Sequence, residues 1–196
     1  MTKNWYIALD LETGGLGQPC SLLTGYYAIV TPDLRIFSEC ELIIKPDDGL
    51  YHLQAKGMEI NGINIVKHDA AAITLKEAGT KLYNFLMTAD AALRNIYSDK
   101  LIPLGHGVRQ DVEFMITAKL ISRGSWENFV SHRALDTSSA ARFLQDCGLL
   151  PAELSGSLIS LADYFGVVRE GAAHDARVDT VASIEVLRHL RGLIQK

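Results

Sequence analysis

The sequence predicts an α/β domain built on a mixed β-sheet flanked by helices. Three strand-like runs come first, helical periodicity then alternates with short strands, and a nearly unbroken apolar run opens the chain. Five strands are expected, in a single domain over residues 1–196, because no repeat, low-complexity tract or Pro- or Ser-rich linker divides the chain.

Taken in order, Trp5–Leu11 is of strand length and largely apolar, the pattern of a central strand covered on both faces. Leu22–Val30 and Arg35–Ile44 are β-rich, and Thr31-Pro32-Asp33-Leu34 between them predicts a turn. Leu53–Asn61 predicts a short helix. Leu75–Met87 sets Leu75, Ala78, Leu82, Phe85 and Leu86 at helical spacing, with Thr74 as its N-cap. Leu101–Leu104 predicts a fourth strand that ends in Gly105-His106-Gly107. A helix over residues 109–122 follows, with Val112, Met115, Ile116, Ala118 and Leu120 on or near one face. Ala134-Leu135 predicts the fifth strand, and Asp136-Thr137-Ser138 starts a helix that runs to about Asp146. Ser157–Phe165 predicts another helix. The last begins at Asp175 and carries Ser183, Val186, Leu187, Leu190 and Ile194 along one stripe.

Composition bounds the function. The chain is 48% hydrophobic and 21% charged, an ordinary globular profile, and no apolar run approaches the ~20 residues of a membrane span. The N-terminus leads straight into the first strand, so no cleaved signal peptide is expected. Cys20, Cys40 and Cys147 fit neither a disulfide framework nor a zinc spacing, which makes a reducing, cytoplasmic setting the expectation. A net charge of −4 argues against a protein that coats long nucleic acid, and is compatible with an enzyme gripping a few terminal nucleotides.

Asp10 and Glu12 close the first strand, where residues i and i+2 share a face, so both carboxylates aim off the same side of the sheet. Acids after an apolar run are costly to bury unless a positive charge meets them, and a hard divalent cation would do so. On the D-x-E pattern alone, a solvated strand end is the commoner reading. Asp111-Val112-Glu113 repeats the pattern in a helical setting, where i and i+2 sit about 200° apart and cannot share one ion. Only Asp111 is expected to face a site. His174 and Asp179 would diverge by about 140° within one helix, and converge only if His174 precedes the helix that bears Asp179. A surface histidine and a helix-surface aspartate are the alternatives, and His106 with Asp111 repeats the same spacing.

The ordered set resembles the DEDDh group of 3′→5′ exonucleases, which includes the epsilon subunit of bacterial DNA polymerase III, exonuclease I, RNase T and oligoribonuclease. Asp10-Leu11-Glu12-Thr13-Gly14-Gly15-Leu16 is similar to the first motif, and Gly105-His106-Gly107-Val108-Arg109-Gln110-Asp111 to the second. His174-Asp175-Ala176-Arg177-Val178-Asp179 is similar to the third, and Ala134–Thr137 and Ser157–Ala162 to connecting segments. The resemblance covers essentially the whole chain in order. It departs at Gly107 and Gln110, where the group usually carries Asn and Phe, and the stretch Gln18-Pro19-Cys20-Ser21 is atypical.

The resemblance implies an RNase H-like fold and an enzyme releasing nucleoside monophosphates from nucleic-acid 3′ ends with two Mg²⁺ or Mn²⁺ ions. Asp10, Glu12 and Asp179 would hold one ion and Asp10 with Asp111 the other. His174 would be the general base, its ordinary pKa of about 6.5 suiting neutral pH, and Gly171-Ala172-Ala173 would let it close onto substrate. Thr13, Gly14 and Leu16 would cradle the terminal nucleotide, with Leu16 wedged against its base or simply packed; His106 is a further substrate contact. Arg109, Lys67, Arg169 and Arg177 are candidate phosphate contacts. Single-stranded DNA is the expected partner and no membrane is. RNA 3′ ends are the first alternative, and a non-catalytic RNase H-like binding module the second. The final helix reaches almost to Lys196, so a stand-alone enzyme is expected over a polymerase-tethered subunit.

Overall fold

The computed structural model describes residues 4–17, 19–97, 99–169 and 175–194. The chain opens with β1 (Tyr6–Thr13), β2 (Leu22–Val30) and β3 (Ile36–Lys45), then α1 (Ala55–Asn61), α2 (Ile65–Ala71), β4 (Ile73–Thr74) and α3 (Leu75–Leu93). There follow β5 (Ile102–Gly105), α4 (Val108–Thr117), α5 (Arg123–Glu127), β6 (Leu135–Asp136), α6 (Thr137–Asp146), α7 (Leu158–Phe165) and α8 (Ala176–Ile194). The strands make one mixed sheet in the order β4-β3-β2-β1-β5-β6. It has six strands rather than the expected five, because Ile73 and Thr74 pair with Ile44 and Lys45 at the edge. Two residues are too few to show a period in the sequence.

The helices differ from expectation mainly at their ends. α3 runs on to Leu93, and its start is the predicted one: Thr74 and Glu77 form a reciprocal capping box. The helix expected over residues 109–122 is broken, since Ala118 ends α4 and Lys119 adopts a left-handed φ of 64° before α5 begins. α2, capped by the Asn64 side chain on the Lys67 N–H, is too short for periodicity to reveal.

β1 lies between β2 and β5, covered on both faces, and its alternate residues go to opposite layers. Ile7, Leu9 and Leu11 enter a core with Leu82 and Leu86 of α3 and Met115 of α4. Tyr6 and Ala8 face the other way, onto Tyr26 and Ala28 of β2 and Ile184 and Leu187 of α8. Asp10 and Glu12 continue that second row. Each large side chain fully buried in either layer contributes about 1.5–3 kcal/mol, and a one-residue slip would exchange the rows, so the register of β1 is tightly held.

α8 is fixed over its layer at the end of the sheet where β1 begins. Arg191 donates to the Tyr6 hydroxyl at 2.5 Å and to the Pro32 carbonyl at 3.1 Å. α6 and α7 pack against its outer side through Leu144, Leu161, Val186 and Leu190.

Candidate active site

Asp10 and Glu12 share a strand face, as the i, i+2 spacing requires, with Asp10 opposite Tyr26 and Glu12 opposite Thr24 on β2. The register shifts immediately afterwards, between Glu12 and Thr13, and this irregularity turns the chain away from the sheet. Asp179 descends onto the pair from the first turn of α8. One carboxylate oxygen from each of Asp10, Glu12 and Asp179 lies within 4.8 Å of the others. Asp111 comes from the opposite layer. β5 runs parallel to β1 with Ala8 opposite Leu104, so it ends level with the acids, and the first turn of α4 brings Asp111 beside Asp10. Both helices thus present an acid at the positive end of their dipole.

The electrostatics record the crowding. Burial, then the charges of Asp111, Glu12 and Asp179, push the Asp10 carboxyl well above its ordinary range. Burial and the charges of Asp179, Asp175 and Asp111 push Glu12 up to about 8. Burial and the Asp136 charge push Asp111 up to about 7. Asp10, Glu12 and Asp111 resist ionising where they stand, and a hard divalent cation, which takes oxygen ligands, would remove the repulsion. Among the described residues the clustered donors are carboxylate oxygens, a set that fits a hard divalent cation.

Beyond Glu12 the chain forms a shelf tied to both ends of α1. The Gln54 N–H donates to the Gly14 carbonyl at 2.6 Å, the Asn61 amide to the Thr13 carbonyl at 2.9 Å, and the Leu16 N–H to the Gln54 side chain at 3.2 Å. The approach is close enough to require glycine: a Cβ at Gly14 would lie 2.5 Å from the His52 carbonyl oxygen. Between this shelf and α4 lies a cavity of about 470 Å³, lined by Leu11, Thr13, Gly15, Leu16, Gln110 and Phe114 beside Asp111. Leu16 is 92% exposed at its edge.

The departure at Gly107 has a simple cause. Gly107 takes the left-handed conformation (φ 78°, ψ 19°) that Gly and Asn both tolerate. Asp136 accepts from the Gly107 and Val108 N–H groups at 2.6 and 3.1 Å with one oxygen, and from Ser138 and Ser139 with the other. One aspartate so caps α4 and α6 together. Burial alone would raise its pKa, yet these hydrogen bonds hold it below the ordinary value. Gln110, the other departure, is exposed and lines the cavity.

His106 is half-buried, with Nδ1 2.9 Å from the Thr137 hydroxyl, which in turn donates to the Gly105 carbonyl at 3.1 Å. Since that hydroxyl has one proton, its lone pair receives the Nδ1–H. Burial lowers the His106 pKa, partly offset by Asp136 and Asp179. Glu113 is not part of the cluster and pairs with Arg123 at 2.7 Å. Asp175 caps the start of α8, accepting from the Arg177 and Val178 N–H groups. His174 lies outside the described residues. Of the basic candidates, Arg177 sits over the Tyr26 ring and pairs with Glu39, Arg109 is exposed on α4, Lys67 is exposed on α2, and Arg169 pairs with Asp179. Sequence reasoning placed Asp136 at the start of α6 but missed its cap on α4, and it missed the props Gln54 and Asn61, which act through contacts across the fold.

No protein-family model matches the chain, and no curated protein matches its sequence. Solved structures do. E. coli exonuclease I in a zinc-ion form with single-stranded DNA superposes with a TM-score of 0.76 at 17% identity, covering 99% of this chain and 42% of that one. A moderately thermophilic exonuclease I from Methylocaldum szegediense gives 0.72 at 18% identity, covering 96% and 40%. The fold is RNase H-like. This chain spans about two fifths of the length of the exonuclease I chains it matches. None of its helices among the described residues is long and apolar enough to cross a membrane.

Proposed function

We propose that this chain is a metal-dependent 3′→5′ exonuclease that hydrolyses the terminal phosphodiester bond of single-stranded DNA and releases nucleoside monophosphates. The convergence of Asp10, Glu12 and Asp179 within 4.8 Å, with Asp111 acting on Asp10 from the other layer, carries the reading. The likeness in fold to exonuclease I structures holding single-stranded DNA supports the choice of substrate.

In this reading Asp10, Glu12 and Asp179 hold one Mg²⁺ or Mn²⁺ and Asp10 with Asp111 a second. Divalent ions held by these residues would supply charge stabilisation for the scissile phosphate and a more acidic water. His174 takes that water's proton as general base. The cavity of about 470 Å³ is of a size to take one nucleoside, with Thr13 and Gly14 shaping its shelf and Leu16 wedged against the last base. His106 contributes from behind, holding the Gly105–Gly107 turn that starts α4.

The test is digestion of 5′-labelled single-stranded DNA, duplex DNA and RNA in Mg²⁺, Mn²⁺ and EDTA, beside Asp10→Ala. Stepwise shortening of single-stranded DNA, lost in EDTA and in the variant, is expected. Faster shortening of RNA would move the substrate to RNA 3′ ends. Binding without any cleavage in either metal would make the chain a binding module.

A further inference from the structure

Among the described residues, Arg169 is a cation that the fold pairs with an acid of the cluster. It follows α7 and reaches Asp179 with its Nη1 3.7 Å from Oδ1. The side chains are only 20% and 12% exposed, whereas every other ion pair among the described residues joins side chains at least a third exposed. A guanidinium cannot give up its proton, so this charge is permanent. It is also costly to hold away from water without a partner of opposite sign. A surface arginine would gain little here; this one is spent on a carboxylate that shares its pocket with Asp10 and Glu12.

We infer that Arg169 is a built-in stand-in for the metal, a counter-cation that steadies the ion-free cluster and is displaced from Asp179 when a divalent ion binds. The inference rests on the proposed cation site. The reasoning is one of competition. Asp179 is shared between the guanidinium and the group of carboxylates that converge on one point. A divalent ion drawn to that point meets a permanent positive charge a few ångströms away in a poorly screened setting, and the two cations repel. The arginine therefore weakens ion binding while it stabilises the protein that has no ion. A merely structural arginine would do the second and not the first. An arginine that oriented Asp179 for the metal would do the opposite of the first.

The experiment measures Mn²⁺ binding by the protein alone, with no nucleic acid, from the electron paramagnetic resonance signal of free Mn²⁺. Wild type, Arg169→Gln, Arg169→Lys and Asp10→Asn are compared, and each is melted in EDTA. Arg169→Gln is expected to melt lower in EDTA and yet to bind Mn²⁺ about tenfold more tightly. Arg169→Lys, which keeps the charge, stays near wild type in affinity, so the comparison holds between folded proteins even if the glutamine variant is weakened. Unchanged or weaker Mn²⁺ binding by Arg169→Gln, with wild type binding normally, overturns the inference and leaves the cation site standing. Absence of binding by every form, Arg169→Gln included, overturns both. Binding abolished by Asp10→Asn and tightened by Arg169→Gln supports the inference whether or not DNA is cut.

Discussion

Asp10 is the side chain on which the acids of both layers act: Glu12 shares its strand, Asp179 reaches it from α8 and Asp111 from α4. Without a cation the folded protein keeps it protonated to higher pH than an unfolded chain would. Asp10→Asn keeps the shape and removes the charge that must be suppressed. It is expected to stabilise the protein in EDTA by roughly 1–3 kcal/mol, read as a higher melting temperature. The same change should cut exonuclease turnover by at least about 10³-fold, since the group serves both proposed ion sites. A variant that is both less stable in EDTA and fully active would contradict this account of Asp10. His174→Ala makes the complementary case. It should lower turnover by ~10²–10⁴-fold with Mn²⁺ affinity unchanged, because a general base acts on the water and not on the metal. Equal turnover in a time course against wild type would remove that role.

Among the elements, the joint between β5, α4, β6 and α6 carries the site's second half, and Asp136 holds it. Its two oxygens cap two helices, and its charge also raises the proton affinity of Asp111. Asp136→Ala removes both caps and should cost about 2 kcal/mol, or roughly 4–8 °C in melting temperature. Asp136→Asn retains one of the two acceptor oxygens and replaces the other with a donor. It should recover part of that stability, and it should also lower the Asp111 pKa, measurable by carboxylate-resolved NMR titration. Equal losses for Asn and for Ala would show that charge, not capping, matters there. The cap on α6 was legible as a helix start at Asp136, and the cap on α4 was not. A strand's period of two made legible that Asp10 and Glu12 share a face, and a glycine-ended strand before an amphipathic helix placed Asp111, but only the resemblance of the ordered motifs joined them into one site. Glu113, the decoy beside it, was separable by helix geometry, and the fold sends it to Arg123. Asp136, Gln54 and Asn61 act on backbone groups 28 to 48 residues away, and contacts of that range leave no periodic trace. The edge strand β4 escaped for a related reason: two residues define a pairing only when the partner strand is already in place.

For the molecule as a whole, the acidic cluster couples folding, protons and metal. Glu12 and Asp111 have folded-state pKa values of about 8 and about 7, above the ordinary 4.5 and 3.8 of an unfolded chain, and Asp10 is raised as well. The folded state therefore binds more protons than the unfolded state throughout that window. Below the ordinary carboxylate values both states are protonated and the effect vanishes. As pH climbs past them the unfolded chain ionises freely while the folded cluster cannot, so stability falls, and the fall ends once pH exceeds about 8. In EDTA the melting temperature should thus decline between pH 5 and pH 8, opposite to the behaviour of carboxylates held in salt bridges. Divalent cations reverse the sign, because a carboxylate that ligates must be ionised and binding releases its proton. With saturating Mg²⁺ the decline should flatten or invert, and calorimetry of Mn²⁺ binding at pH 7 in buffers of different ionisation enthalpy should show net proton release. A melting temperature that rises with pH in EDTA as steeply as in Mg²⁺ would mean that these carboxylates are not crowded in solution. The coupling of cluster to cation would then have no physical basis.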